Sequence, residues 1–233
     1  MRIDVKAVSL IAIFAALGVI CDMVITPGFS AGVWIGWVFI ISPIAGIVLG
    51  PYNGFVSTLI AVIIGHSLFP RGTIYEIIFA LGAPVSSLIS GFAFRGQLKR
   101  VFAYYTVMLG SYFATPISRR LPIWGMWDCY VAYALLIVLC VILITRGLDE
   151  IKRMSPYAVS AFIGLEADVL LRIFVLVPCH GYQFFFGWTP ESLAAIWTVP
   201  APIITPFKVL LSTFVVTLIA PQIRRIIRDS NVY

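Results

Sequence analysis

Apolar residues in this chain gather into eight runs, at 5–26, 33–50, 53–69, 74–94, 101–117, 126–145, 157–178 and 203–223. About 20 apolar residues in helical form span a bilayer, so the pattern predicts eight transmembrane helices joined by short connections. The breaks fall where turn chemistry is expected, at Pro27-Gly28, Gly50-Pro51, Pro70-Arg71-Gly72, Arg95-Gly96, Pro122, Gly147, Pro178 and the stretch from Pro200 to Pro206. The fifth run is the weakest, being short and ending at Thr115-Pro116. One connection, between Pro178 and Pro202, differs from the rest because it carries Tyr182, Phe184, Phe185, Phe186, Trp188 and Trp197. Within it Thr189-Pro190-Glu191 is a helix-start signature, which predicts a short interfacial helix over 190–197. This loop reads either as an aromatic belt at the membrane surface or as a lid over a ligand pocket.

Composition agrees with the runs. Of 233 residues, 61% are hydrophobic and 11% charged, with mean hydropathy +1.03, which excludes a soluble enzyme or a nucleic-acid reader. The net charge of +6 is spread over small clusters that set orientation. With the N-terminus placed in the cytoplasm, Arg2, Lys6, Arg95, Lys99, Arg100, Arg146, Lys152, Arg153, Arg224, Arg225 and Arg228 fall on that side. Only Arg71, Arg119 and Arg120 fall on the other, a bias of 11 to 3. Basic residues are retained in the cytoplasm during insertion, so both termini are expected there. The whole of 1–233 then forms a single all-α, multi-pass transmembrane domain. A six-span version that skips the fifth and sixth runs also keeps both ends inside, but strands Val131 to Ile144 in water. The first run follows Arg2 and Lys6 like a signal peptide, yet no small-x-small cleavage site closes it, so it reads as a retained helix.

Charges within a bilayer cost roughly 2.5 to 3.5 kcal/mol each, and those present usually line a cavity or pair. The seventh run holds Glu166, Asp168 and Arg172, and the eighth holds Lys208. Asp168 and Arg172, four residues apart, can pair, whereas Glu166 points away from Asp168 and needs another partner. Counting about 1.5 Å per residue puts Arg172 and Lys208 at one level, near the outer ends of their helices. Asp22, His66, Glu76 and Asp128 also fall at or near outer ends, so polar groups gather on the extracellular side. An ion-paired plug that orients helices is the alternative to a pocket. Cys21, Cys129, Cys140 and Cys179 lack zinc or redox spacing, and Cys179 beside His180 supplies too few ligands for a metal. No metal, cofactor or catalytic motif is expected.

Small residues mark further surfaces. Gly46, Gly50 and Gly54 let backbones approach across a turn, and Ser9, Ala12 and Ala16 share one face of the first helix, either for packing inside the chain or for a partner helix. The stretches KAVSLIAIFAALGVI, SPIAGIVLGPYNGFVSTLIAVIIG and APIITPFKVLLSTFVVTLIAPQI resemble the first, the second and third, and the last helices of membrane-embedded substrate-binding subunits (S-components) of energy-coupling factor (ECF) transporters. The likeness implies that Ala12 and Ala16 face the shared transmembrane coupling subunit. It also implies that two cytoplasmic ATPases drive toppling of the subunit in a prokaryotic plasma membrane, and that a vitamin-like nutrient is captured at the outer face. That family has six helices. Against eight runs this implies an added hairpin, such as the fifth and sixth, or a run that does not cross.

On this reading Arg172 and Lys208 hold an anionic group of the substrate, Phe185, Trp188 and Trp197 stack on its ring, and Glu166 and Asp168 orient the cations. The competing expectations are a self-sufficient secondary carrier, which needs a coupling site near the midplane, and an intramembrane enzyme using His66, His180 or the acids.

Overall fold

The computed structural model describes residues 5–23, 28–30, 33–35, 37–68, 76–147 and 156–229. Arg2, Arg71, Lys152 and Arg153 of the basic bias, the Pro70–Gly72 break and the side chain of Glu76 lie outside the described residues. Among the described residues the fold is all-α apart from one small ribbon. In chain order come α1 (Val5–Met23), β1 (Gly28–Ser30), β2 (Val33–Ile35), α2 (Val38–Leu49), α3 (Pro51–Leu68), α4 (Glu76–Ala80), α5 (Gly82–Phe94), α6 (Leu98–Ala114) and α7 (Trp127–Arg146). They are followed by α8 (Pro156–Leu176), α9 (Gly181–Phe184), α10 (Pro190–Thr198) and α11 (Pro200–Asp229). Two 3-10 turns, Pro116–Arg120 and Ile123–Met126, connect α6 to α7.

Each of the eight apolar runs contains a helix, with three differences. Residues 33–35 pair antiparallel with 28–30 instead of starting α2; the β-branched and aromatic Val-Trp-Ile triplet suits a strand. The run at 74–94 is divided into α4 and α5. The last helix starts at Pro200 and continues to Asp229, through Pro206 and Pro221, although prolines were expected to break its first turns. The reason is local. Pro200 and Pro202 fall in the first turn, whose N–H groups have no acceptor within the helix, so they cost no rung. Pro206 cannot donate to the Pro202 carbonyl, and Trp127 Nε1 donates to that carbonyl instead, at 2.9 Å. Just before α11, Trp124 Nε1 donates to the Thr198 carbonyl at the end of α10, at 3.3 Å.

Helix α8 is the centre of the bundle. It packs against α2, α5, α6, α7 and α11, and an unbroken stretch from Ile163 to Leu170 is buried. Contact with α5 is the most extensive and is close because Gly164 faces Ser86 and Ser90. From α6, Tyr104 and Tyr105 donate their hydroxyls to the carbonyls of Ala167 at 2.7 Å and Ile163 at 2.6 Å. Gly46 and Gly54 both pack against Ser87 of α5, so that glycine series serves packing within the chain. Gly50, with φ of +90°, makes the sharp turn into Pro51, the first residue of α3.

The helix ends sort into two groups. Phe94 at the end of α5 meets Tyr157 at the start of α8, with ring centroids 5.0 Å apart. Arg224 near the end of α11 lies 4.7 Å over the Phe94 ring, and Arg100 at the start of α6 reaches Tyr52 at the start of α3. At the opposite end Asp22 of α1 pairs with His66 of α3 at 2.9 Å, and the starts of α7 and α11 meet through the Trp127 indole. Among the described residues four helical stretches are long and apolar enough to cross a membrane: Val5–Met23, Ile77–Phe94, Ile123–Arg146 and Pro200–Asp229. Replacing Trp127 by Phe leaves the Pro202 carbonyl without its donor, and is expected to lower stability by about 1 kcal/mol, read as a reduced thermal midpoint of the purified protein.

Candidate functional site

Because α8 is enclosed on all sides, acids on opposite faces of it are both fully buried, and each must find its own partner. Asp168 faces Arg172 on the next turn, accepting from Nε at 2.5 Å and from Nη2 at 3.2 Å. The break between α4 and α5 brings Gly82 onto this carboxylate so closely that a Cβ there would lie 1.7 Å from Oδ1. Glu166 faces α7, where its Oε2 accepts from the Cys129 thiol at 3.3 Å. Asp128 accepts the Cys129 backbone N–H at 3.0 Å. Glu166 Oε1 and Asp128 Oδ2 are buried without a hydrogen-bond partner. Lys208 comes from α11, with Nζ 3.9 Å above the Phe39 ring and within electrostatic reach of Arg172, Asp168, Glu166 and Asp128. Two cations thus serve three carboxyl groups.

Asp128, Cys129 and Glu166 each present one metal-ligand atom within 4.8 Å of the others. Lys208 already brings a positive charge to that cluster, and three ligands are one short of a closed tetrahedral site. The four cysteines are free; Cys129 is buried in this cluster while Cys179 is exposed. His180 beside it has its ring 5.9 Å from Tyr182.

Above the charged cluster is a cavity of about 90 Å³, or about 710 Å³ of empty space when its open mouth is included. The smaller figure is room for several waters. Asp128, Arg172 and Lys208 reach it from α7, α8 and α11, and Phe186, Trp188 and Trp197 wall it from the aromatic loop. The loop folds back on itself: Gly187 has φ of +62°, and Trp188 N–H donates to the Tyr182 carbonyl at 2.9 Å. Phe186 and Trp188 stack at 4.5 Å, and Phe79 of α4 lies 5.7 Å from Phe186. Helix α10 begins at the expected place, with Thr189 Oγ1 accepting from Ser192 N–H at 3.3 Å. Glu191 in its first turn is held below the usual carboxylate range by hydrogen bonds from its own backbone N–H and the Thr189 hydroxyl.

Of the residues singled out in the sequence, Arg172, Lys208, Trp188 and Trp197 share this cavity. Asp168 and Glu166 lie beneath it, and Asp168 holds Arg172. Phe185 is turned elsewhere, packing edge-on against Phe79 at 5.8 Å, and Phe186 takes the place expected of it. Asp22 and His66 pair with each other between α1 and α3, away from the cavity. Ser9, Ala12 and Ala16 lie on an exposed stripe of α1. Phe79 was not singled out in the sequence, Asp128 was named only as a polar group near the outer end of its helix, and Phe186 only as one of the loop's aromatic residues. An acid in the first turn of an otherwise apolar α7 was the signal for Asp128; three consecutive phenylalanines gave none for choosing Phe186.

The chain matches no family model, no curated protein and no solved structure. The geometry alone therefore carries the functional argument. Replacing Asp168 by Ala leaves Arg172 without its buried counter-charge and is expected to cost about 3 kcal/mol. Replacing Gly82 by Ala pushes that same carboxylate aside, with a loss of about 1 to 3 kcal/mol. Thermal unfolding of the two purified variants checks both values.

Proposed function

We propose that this chain is a multi-pass membrane protein of eight crossings that captures a small nutrient at its outer face, as the substrate-binding subunit of an ECF-type importer. The observation that carries the reading is the meeting of Arg172 and Lys208 with Trp188 and Trp197 around one cavity, at the end of the bundle opposite the arginine-rich helix ends. Polar groups at the mouth of an otherwise apolar bundle are what an outward-facing receptor needs. The exposed Ser9, Ala12 and Ala16 stripe supports docking of a transmembrane coupling subunit on α1, with two cytoplasmic ATPases supplying the energy.

The cavity refines the ligand. Stacked aromatic walls favour a planar ring. Arg172 and Lys208 favour an anionic or strongly accepting group. Asp128, whose Oδ2 lacks a donor, favours an N–H or O–H on the same molecule. A heterocycle carrying both kinds of group fits better than a simple anion. Binding one widens the cavity, because 90 Å³ is smaller than the sites of drug-sized ligands.

A second reading, a secondary carrier that works alone, draws support from the unpartnered oxygens of Asp128 and Glu166, a place where a proton could be held. Uptake into vesicles containing only this protein, abolished by an uncoupler, would favour the carrier.

For the capture reading, mass spectrometry of the purified protein is expected to find a bound ring compound, and a vitamin panel to contain a ligand that raises the thermal midpoint. Lys208→Met is expected to weaken binding by tenfold or more, about 1.4 kcal/mol. Absence of any retained molecule, no thermal shift across the panel and no co-purifying coupling subunit would together overturn the proposal.

A further inference from the structure

The arginine-rich end of the bundle encloses a second cavity, larger than the first and of different chemistry. It opens between the C-terminal ends of α2, α5 and α11 and the first turn of α8, with a volume of about 870 Å³. Four guanidinium groups reach it: Arg95 from the end of α5, and Arg224, Arg225 and Arg228 from the end of α11. Its remaining wall is apolar or aromatic and includes Ile47, Val48, Tyr157 and Pro221.

Like charges concentrated in this way repel. Among the described residues the one carboxylate in an ion pair with them is that of Asp229, 3.6 Å from Arg225 and 3.5 Å from Arg228, both at an exposed surface where such pairs contribute little. Guanidinium groups bind phosphate oxygens in a bidentate fork, so a phosphate would relieve the repulsion at several arginines at once. The apolar wall argues that this phosphate is not a free, fully hydrated ion. On α11 the residues Phe214, Leu218, Pro221, Arg225 and Arg228 recur at spacings of four, three, four and three and therefore share one stripe. Phe214 and Leu218 are both more than half exposed. The stripe thus passes from open apolar surface to arginines, as a molecule with a greasy tail and an anionic head would.

We propose that this cavity binds the headgroup phosphate of an anionic phospholipid, with its acyl chains along the Phe214–Leu218 flank of α11. The inference rests on the membrane reading above and is independent of what the aromatic cavity holds. Basic pockets between helices on the cytoplasmic side are suited to such headgroups.

The test offers the detergent-purified full chain an equimolar mixture of dioleoyl phosphatidylglycerol and dioleoyl phosphatidylcholine, and measures the lipid retained by native mass spectrometry. The expected result is about fivefold or greater preference for phosphatidylglycerol. That preference falls to near parity in the combined Arg224→Gln, Arg225→Gln, Arg228→Gln variant and stays intact in Lys99→Gln, a basic position at the same end but outside the cavity. If the triple variant does not fold, R225Q/R228Q, altering two exposed side chains, takes its place with the same expectation. Equal retention of the two lipids, or a preference that survives loss of the arginines, overturns the proposal. So does full displacement of the lipid by millimolar glycerol phosphate or by oligoglutamate, which would assign the cavity to a soluble phosphate or an acidic protein segment. A protein that stays monodisperse without detergent would instead defeat the membrane reading itself.

Discussion

The structure is organised by the cost of enclosing carboxyl groups in a tightly packed helix. Glu166 and Asp168 are two residues apart on α8 and point in opposite directions, and both are inaccessible to solvent. An unpaired charge in such surroundings is among the most expensive features a chain can carry. Each acid therefore dictates its neighbourhood: Asp168 requires Arg172 and a glycine at position 82, while Glu166 requires the Cys129 thiol and the approach of Lys208. Of the elements that bring those partners, α7, α8 and α11 also line the aromatic cavity, joined from α4 by Phe79.

Function and stability are consequently hard to separate at this site. Arg172 is held by Asp168 in a bidentate pair and still reaches the cavity. Lys208 rests on the Phe39 ring and answers to several acids at once. Cations arranged in this manner are preoriented, since their side chains lose little further freedom when a ligand arrives. The same arrangement leaves Asp128 and Glu166 each with one buried oxygen that has no hydrogen-bond partner among the described residues.

Much of this was legible in the sequence, for physical reasons. Runs of about 20 apolar residues leave helix as the economical backbone choice, and each run does contain one. The i, i+4 spacing fixed the Asp168–Arg172 pair, and the Thr189-Pro190-Glu191 signature located α10. What escaped depended on contacts distant in sequence. Turn chemistry was expected over residues 200–206 because the indole that replaces the donor missing at Pro206 comes from 75 residues away. Among Phe184, Phe185 and Phe186, loop geometry decides which one faces the cavity, and no periodicity encodes it. The small-residue spacing at Gly46, Gly50 and Gly54 was visible, but whether it met a partner or the chain's own α5 could be read only from the packing.

The tryptophan-proline arrangement at the start of α11 bears on movement. The Pro202 carbonyl in the first turn of α11 is bonded to Trp127 of α7 instead of to its own ladder, so the start of the helix depends on Trp127 staying in place. Ala201, Thr205 and Lys208, which line the cavity, ride on it. The Trp127 indole is therefore a latch between two helices, fastening this wall of the cavity to α7 at the rung where the ladder of α11 has a gap.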